Sequence, residues 1–186
     1  MLPITLDPAR LPILLVGTGR ETLGRLRLLE AAGVERLRLF SPAPEPELRV
    51  AASGRLEDGL PGPQDFAGVR VVFIGDLDEA TSRRLAAQAR AAGALVNRED
   101  VPELCDFHVP AVLRRGALSL AISTGGRSPA LARRLKGWLD EKLPEAWAER
   151  VERIGAARDH WRAEGLGPKE IGARTNALID QEGWLA

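Results

Sequence analysis

The stretch Leu-Pro-Ile-Leu-Leu-Val-Gly-Thr-Gly-Arg-Glu-Thr, residues 11–22, decides the predicted fold. Its first half is a short apolar run, which is typical of a strand buried on both faces of a parallel sheet. The run stops at Gly17. Apolar residues then recur at helical spacing from Leu23 to Ala32, and Gly33 is placed to end that helix. A strand, a glycine turn and a helix in this order predict the first unit of a doubly wound α/β domain.

The alternation of strands and helices continues through the first half of the chain. Further strands are predicted at residues 37–40, 69–74 and 94–97. Asp78 is placed to cap a helix that ends near Gly93. Residues 44–63 are rich in loop-forming residues and predict no clear element. The pattern therefore predicts a Rossmann-like parallel sheet.

The second half of the chain has a different pattern. Two apolar stretches, at residues 111–113 and 118–122, flank a short polar turn and predict an antiparallel hairpin. Ser128 followed by Pro129 is typical of a helix start, and further helices are predicted after Pro144 and Pro168. All 4 Trp lie in this half, whereas all 4 Phe precede it. Three domains are predicted: a Rossmann-like domain at 1–112, a segment at 113–143 that includes the hairpin turn and the next helix, and a C-terminal helical segment at 144–186.

Composition excludes several classes of protein. The 186 residues include 26 Lys and Arg and 26 Asp and Glu, so the net charge is zero, which argues against a nucleic-acid partner. A single cysteine excludes a disulfide framework, and with only 2 His it argues against a preformed metal site. No apolar run reaches about 18 residues, so no membrane span is predicted, and no signal peptide is visible. We therefore expect a cytoplasmic protein.

The glycine turn after the first strand has the context of a dinucleotide-binding loop. Gly17 permits the tight turn, and Gly19 lets the backbone approach a diphosphate at the helix N-terminus. Thr22 stands where the third glycine is usual, and Glu21 is unfavourable there unless its side chain points to a ribose or to solvent. A plain strand-to-helix turn without a ligand is the alternative. The predicted cofactor-binding residues of this loop are Gly17, Thr18, Gly19, Arg20, Glu21 and Thr22.

A second group of motifs follows the predicted sheet. The chain reads Cys-Asp-Phe at residues 105–107, Pro-Ala at 110–111, and Ser-Thr-Gly-Gly-Arg-Ser-Pro-Ala-Leu-Ala at 123–132. With the glycine turn before them, these motifs resemble the precorrin-2 dehydrogenase family, the NAD-dependent module of siroheme synthases. The resemblance covers nearly the whole chain in order, and residues 123–132 are its most distinctive part.

The resemblance implies the oxidation of precorrin-2 to sirohydrochlorin, with NAD⁺ as the cofactor that takes the hydride. Members are homodimers whose second half forms the interface, and some members also insert Fe²⁺. The resemblance therefore implies NAD binding by the domain at 1–112 and dimerisation and substrate binding by the segment at 113–143. The family's catalytic aspartate corresponds to Asp100, and a position phosphorylated in some relatives corresponds to Thr124. Nucleotide contacts correspond to residues 17–22 and to Ser41 and Pro42. Nothing basic stands near Ser41 to take a 2′-phosphate, which favours NAD over NADP.

A cluster of cationic residues in the second half of the chain also indicates an anion-binding site. Precorrin-2 is an acidic tetrapyrrole, and cations are concentrated between Arg114 and Lys136 without an intervening acid. Arginine binds carboxylates in a bidentate manner, and a helix start adds N–H donors. A solvated helix face is the alternative reading of this cluster. The predicted substrate-binding residues are Arg114, Arg115, Ser123, Thr124, Gly125, Gly126, Arg127 and Ser128.

Single residues between the two halves have open roles. Asp100 follows the last predicted strand and can serve as the proton acceptor or a ligand for Fe²⁺, or it can simply cap a turn. No other metal ligand is predicted. His108 is interpreted as a packed or interface residue, and Cys105 as a small buried hydrophobic residue.

Two alternatives to the dehydrogenase stay open. One is an enzyme that combines the dehydrogenase with a sirohydrochlorin ferrochelatase, or is a chelatase alone. The other is a module that binds a tetrapyrrole or nucleotide without dehydrogenase activity. Thr18, Glu21 and Gly24 favour the second alternative, because the family usually has Gly-Gly-Gly, a small apolar pair and Arg-Lys in this loop.

Overall fold

The computed structural model describes residues 2–52, 54–99 and 101–185. The chain divides into two compact units, Met1–His108 and Val109–Ala186. In the described part of the chain, no helix is both long and apolar enough to cross a membrane.

The first unit contains a parallel sheet of five strands. In chain order they are β1 (Ile13–Val16), β2 (Leu37–Ser41), β3 (Leu56–Asp58), β4 (Val71–Ile74) and β5 (Leu95–Arg98). The strands lie in the order β3-β2-β1-β4-β5, and every pairing is parallel. The predicted α/β class is confirmed.

Three helices connect the strands of this sheet. They are α1 (Arg20–Ala31), α2 (Pro46–Ala52) and α3 (Glu79–Ala91), and short 3-10 turns occur at Pro63–Phe66 and Pro102–Leu104. The region predicted as loop therefore contains α2 and β3. Both elements are too short to show a clear apolar period, and β3 pairs only with β2 at the edge of the sheet.

Side chains alternate across the two faces of the sheet. Leu14 and Val16 pack with Leu85 and Ala89 of α3 in one buried cluster. Residues at the intervening positions point to the opposite face, where Arg25 of α1 lies over the ring of Phe73. The strands are therefore covered on both faces, which explains why β1 and β4 are apolar throughout.

The pairing of β1 with β4 brings two loops together at one edge of the sheet. Val16 lies opposite Ile74, so both strands end at the same level. The N–H of Gly75 donates to the carbonyl of Val16 at 2.9 Å, and the N–H of Gly17 donates to Phe40 at 3.1 Å. The loop that begins α1 and the loop that precedes α3 are therefore neighbours.

The second unit consists of a hairpin and three helices. Its elements are β6 (Ala111–Arg115), β7 (Leu118–Ile122), α4 (Pro129–Lys142), α5 (Trp147–Ala163) and α6 (Pro168–Gln181). The hairpin turn has two residues, and its Gly116 has a φ of +55°, which glycine adopts without strain. Ser128 caps α4 by accepting the N–H of Leu131 at 3.2 Å. The predicted hairpin, helix start and helical tail are confirmed.

A buried arginine ties the hairpin to the end of α4. The Arg115 side chain is only 7% exposed and lies 2.7 Å from the Asp140 carboxylate. It also donates to the carbonyl of Leu143 at 2.7 Å and pairs with Glu145 at 3.3 Å. Carbonyl groups at the end of a helix lack intrahelical partners, and Arg115 supplies hydrogen bonds to such groups at the C-terminus of α4.

Candidate functional site

The glycine loop, residues 17–22, packs tightly against the start of the β4–α3 connection. A Cβ atom at Gly17 would lie 2.0 Å from the hydroxyl oxygen of Thr22 and 2.3 Å from the carbonyl oxygen of Gly75. No side chain fits in that space, so glycine is required at position 17. A Cβ at Gly19 would lie 2.8 Å from a carboxylate oxygen of Glu45.

The carboxylate of Asp76 lies against the first turn of α1. Its Oδ2 atom accepts the N–H of Gly19 at 3.0 Å, the N–H of Thr22 at 2.8 Å and the hydroxyl of Thr22 at 2.7 Å. Its Oδ1 atom accepts the N–H of Glu21 at 3.2 Å. The hydroxyl of Thr18 donates to the carbonyl of Asp76 at 3.0 Å. One carboxylate therefore occupies the position at which the sequence predicted a diphosphate.

Asp76 carries a negative charge at neutral pH. Burial raises the pKa of its carboxyl group, but the hydrogen bonds from Thr22, Glu21 and Gly19 together outweigh burial and lower the pKa below its ordinary value. Its φ of +48° is the one positive φ of a non-glycine residue in the described residues. Such a backbone costs about 1 kcal/mol or more, which the hydrogen bonds to the glycine loop offset.

Sequence reasoning missed Asp76. The available signal is an Asp directly after Gly75 at the carboxyl end of β4, next to the strand that carries the glycine loop.

The carboxylate of Glu21 is held by neighbouring residues of the protein. Its Oε2 atom accepts the N–H of Asp76 at 3.2 Å and lies 3.4 Å from Nη1 of Arg98. Arg98 also donates to the carbonyl groups of Glu99 at 2.6 Å and Leu77 at 3.1 Å. Glu21 thus helps to hold the glycine loop against the β4–α3 connection.

The end of β2 lies beside the glycine loop. Ser41 is fully buried, and its hydroxyl has no hydrogen-bond partner among the residues that the structure describes, whereas Pro42 is exposed. The carbonyl of Ser41 accepts the N–H of Gly59 at 2.9 Å. A small residue with a buried hydroxyl therefore stands where the resemblance implies a nucleotide contact.

Two grooves flank the start of α1. One, of about 450 Å³, lies toward α2 and is lined by Gly19, Arg20, Leu23, Gly24, Arg27, Glu45, Glu47 and Leu48. The other, of about 500 Å³, is lined by Arg20, Glu21, Gly24, Arg25, Leu28 and Glu99. Both volumes are in the range of small-molecule sites. Gly24 contributes to both grooves, and within the described part of the chain a Cβ there would meet nothing within 4 Å beyond its chain neighbours and the backbone of its own helix.

The glycine loop fits a dinucleotide in shape. The turn is tight, its backbone borders two grooves, and α1 begins at the carboxyl edge of the sheet, where doubly wound folds bind their ligands. The N–H groups that would bind the diphosphate already donate to Asp76. A bound diphosphate has to share or replace that carboxylate.

Predicted substrate-binding residues of the second unit form a turn before α4. The Ser123 hydroxyl accepts the N–H of Gly125 at 3.2 Å, and the Thr124 hydroxyl accepts the N–H of Ser128 at 3.0 Å. Gly125 and Gly126 have φ values of +66° and +79°, which glycine tolerates. Arg127 extends from this turn into solvent.

The two arginines of the hairpin differ in availability. Arg114 is exposed and donates to the Ser119 hydroxyl at 3.2 Å. The guanidinium of Arg115 is buried and bonded to the end of α4. Arg114 is therefore available to a ligand, whereas Arg115 has a packing role.

Residues near the end of β5 complete the first unit. Asp100, the predicted catalytic residue, lies outside the described residues. Cys105 is half-buried, and burial is the main cause that raises the pKa of its thiol. His108 is exposed. Among residues 2–52, 54–99 and 101–185, no group of three or more His, Cys, Asp or Glu residues is arranged to hold a metal ion.

Comparison with known families agrees with this geometry. A family model described as "Putative NAD(P)-binding" matches residues 4–111, more than half of the chain. The chain belongs to this family. A second model, described as "Sirohaem biosynthesis protein central", matches residues 115–140. The resemblance to the siroheme synthase N-terminal module is confirmed.

Curated relatives carry the name siroheme synthase. That of Ectopseudomonas mendocina is 34% identical over 142 residues, which cover 74% of this chain and 30% of the relative. Those of Methylococcus capsulatus and Chromobacterium violaceum are each 36% identical, over 77% and 83% of this chain and 31% and 33% of the relatives. The chain spans about a third of the length of these relatives.

A solved structure described as "SirC, precorrin-2 dehydrogenase" shares the fold. It matches this chain with a TM-score of 0.81 over 100% of this chain and 93% of its own length, at 22% sequence identity. The α/β sheet, the hairpin and the helical tail of this chain therefore all have counterparts in a solved structure.

The hydrogen bond from the Thr22 hydroxyl to Asp76 leads to a prediction about acid stability. The folded pKa of Asp76 is below its unfolded value of about 3.9. Its ionised form therefore adds to the free energy of unfolding above that value, and the contribution is lost as the pH falls through the folded pKa. We expect Thr22→Val to lower the free energy of unfolding by about 1–2 kcal/mol at neutral pH and by less below about pH 4.

Urea unfolding over a series of pH values measures this difference. Thr175→Val is the matched control, because the Thr175 hydroxyl donates to the carbonyl of Ile171 at 2.8 Å within α6. For Thr175→Val, the difference in free energy of unfolding from the unmodified chain should stay the same at every pH of the series. A Thr22→Val difference that stays constant into acid would contradict the prediction.

Proposed function

We propose that this chain oxidises precorrin-2 to sirohydrochlorin, with NAD⁺ as hydride acceptor. The observation that carries the proposal is the glycine loop at the joint carboxyl ends of β1 and β4, in a chain that belongs to an NAD(P)-binding family. The sirohaem central region that follows in the same chain, residues 115–140, supports a tetrapyrrole substrate. The names of the curated relatives support the same pathway.

NAD⁺, when bound, supplies the nicotinamide that accepts the hydride. The glycine loop offers its backbone to the diphosphate, and the end of β2 offers the exposed Pro42 to a ribose, whereas Ser41 is fully buried. Both of these residues are uncharged, which favours a ribose without a 2′-phosphate. Gly17 keeps the turn tight enough for this approach.

Asp100 is proposed as the group that takes the second hydrogen of the reaction as a proton. Precorrin-2 loses a hydride to NAD⁺ and a proton to a base, and a carboxylate in a partly dry site can accept that proton. Asp100 follows β5 in the chain by two residues, on the carboxyl side of the strand. This role rests on the resemblance.

The turn before α4 is proposed to bind the carboxylates of the tetrapyrrole. Arg114 and Arg127 are exposed, and the hydroxyl groups of Ser123 and Thr124 and the backbone of Gly125 and Gly126 lie in the same region of the chain. The N-terminus of α4 adds a favourable field for anions. Because Arg115 is buried, we assign substrate contacts to Arg114 and Arg127.

The second unit is also proposed to pair with a second copy of the chain. Leu131, Leu135 and Trp138 of α4 are 50%, 40% and 55% exposed. Their spacing of four and three residues places them on one side of the helix. An exposed apolar side of this kind is typical of a helix that associates with a partner.

The direct test of the dehydrogenase is NADH formation from precorrin-2 and NAD⁺ by the purified chain. We expect activity with NAD⁺, weaker activity with NADP⁺, and none in Asp100→Ala. Glu103→Ala, which removes an exposed acid from the following turn, should remain active. Failure of the unmodified chain to form NADH would contradict the proposal. Fe²⁺ insertion into sirohydrochlorin without NAD⁺ would instead favour a chelatase.

Substitution of Arg127 tests the substrate site. A charge-assisted hydrogen bond contributes about 1.5–3 kcal/mol. Arg127→Ala should therefore raise KM for precorrin-2 about tenfold or more, with a smaller change in kcat. Arg84→Ala, an exposed arginine of α3, is the control and should leave KM unchanged. Equal KM values for the two variants would contradict a role of Arg127 in substrate binding.

The dimer is tested by a charge on the apolar side of α4. Trp138→Glu should convert a dimer to a monomer in sedimentation velocity experiments, because a buried unpaired carboxylate opposes association. Val50→Glu is the control, since Val50 of α2 is 81% exposed. A monomeric unmodified chain, or a Trp138→Glu variant that stays dimeric, would overturn this part of the proposal.

A further inference from the structure

The start of α1 is an anion-binding position that the chain fills itself. The first N–H groups of a helix have no intrahelical partner and attract anions. In this chain the N–H groups of Gly19, Glu21 and Thr22 donate to one carboxylate, that of Asp76. The Thr22 hydroxyl adds the shortest of these contacts, at 2.7 Å.

Other acids increase the negative charge around the same turn. Glu21 lies within the loop, and the Glu45 carboxylate lies within 2.8 Å of the space that a Cβ on Gly19 would occupy. Arg98 offsets Glu21 at 3.4 Å. The carboxylate of Asp76 has no arginine or lysine among its hydrogen-bond partners in the described residues, since its partners are backbone N–H groups and a hydroxyl.

We propose that Asp76 competes with the diphosphate of a dinucleotide for the N–H groups of Gly19, Glu21 and Thr22, and thereby sets the cofactor affinity of this chain. This inference rests on the proposed function. A diphosphate that approaches these N–H groups meets a carboxylate within hydrogen-bond distance of them, and two anions repel strongly where solvent is partly excluded. Binding therefore requires the Asp76 carboxylate to give up at least some of these hydrogen bonds.

The left-handed backbone of Asp76 fits this role. The residue holds a φ of +48° while its side chain is bonded to the loop. Asp and Asn tolerate such a backbone better than other residues with a Cβ. Asp76→Asn therefore removes the charge while it keeps the shape and the allowed conformation.

Titration calorimetry with NAD⁺ and with ADP-ribose, which carry the diphosphate, measures the competition. We expect Asp76→Asn to bind both ligands at least about tenfold more tightly than the unmodified chain. Adenosine, which has no diphosphate, should bind both proteins equally. Asp78→Asn is the matched control, because it removes one charge from the same connection and Asn is an equally good helix cap.

A second variant separates competition from damage to the fold. Asp76→Gly also tolerates a positive φ and removes the carboxylate altogether. Thermal melting of each variant confirms that the protein tested is folded, and a folded variant of either kind should show the gain. An unchanged or weaker NAD⁺ affinity in the folded variants would overturn the inference, and so would an equal gain for adenosine or for Asp78→Asn. Absence of measurable NAD⁺ binding in every variant would overturn it as well.

The outcomes distinguish this inference from the proposed function. A tighter NAD⁺ complex of Asp76→Asn without any oxidation of precorrin-2 would support the inference and contradict the function. Oxidation of precorrin-2 by the unmodified chain, with no change of NAD⁺ affinity in Asp76→Asn, would support the function and overturn the inference.

Discussion

The parallel pairing of β1 with β4 is the constraint on which the site depends. Because Val16 and Ile74 lie opposite each other, both strands end together, and the loops that follow them have to share one space. Gly17 and Gly75 lie in that space, where a Cβ on Gly17 would come within 2.3 Å of the Gly75 carbonyl oxygen. The contact of Thr22 with Asp76 follows from this arrangement and fixes the start of α1.

Much of the fold could be predicted because its signals are local. The apolar run of β1, the glycine that ends it and the Ser128-Pro129 helix start are each contained within a few residues. The second helix and the third strand could not be predicted in the same way. Helix α2 has 7 residues and β3 has 3, so neither is long enough to show a period.

The candidate site was predicted less completely, because its key contacts join distant parts of the chain. Asp76 and Gly19 are 57 residues apart, and nothing in either local sequence indicates that one bonds to the other. Arg115 is a similar case. Its charge was visible among the cations of the second half, but its burial and its bond to Leu143 depend on how α4 ends against the hairpin.

The division into two compact units has a spectroscopic consequence. All 4 Trp of the chain, at positions 138, 147, 161 and 184, belong to the unit Val109–Ala186, and there is no Tyr in the sequence. Intrinsic fluorescence excited at the indole band therefore reports on the second unit alone. Circular dichroism reports on both units. A difference between the two unfolding curves would reveal that the units lose their structure separately, and the emission of the chain would follow only one of them.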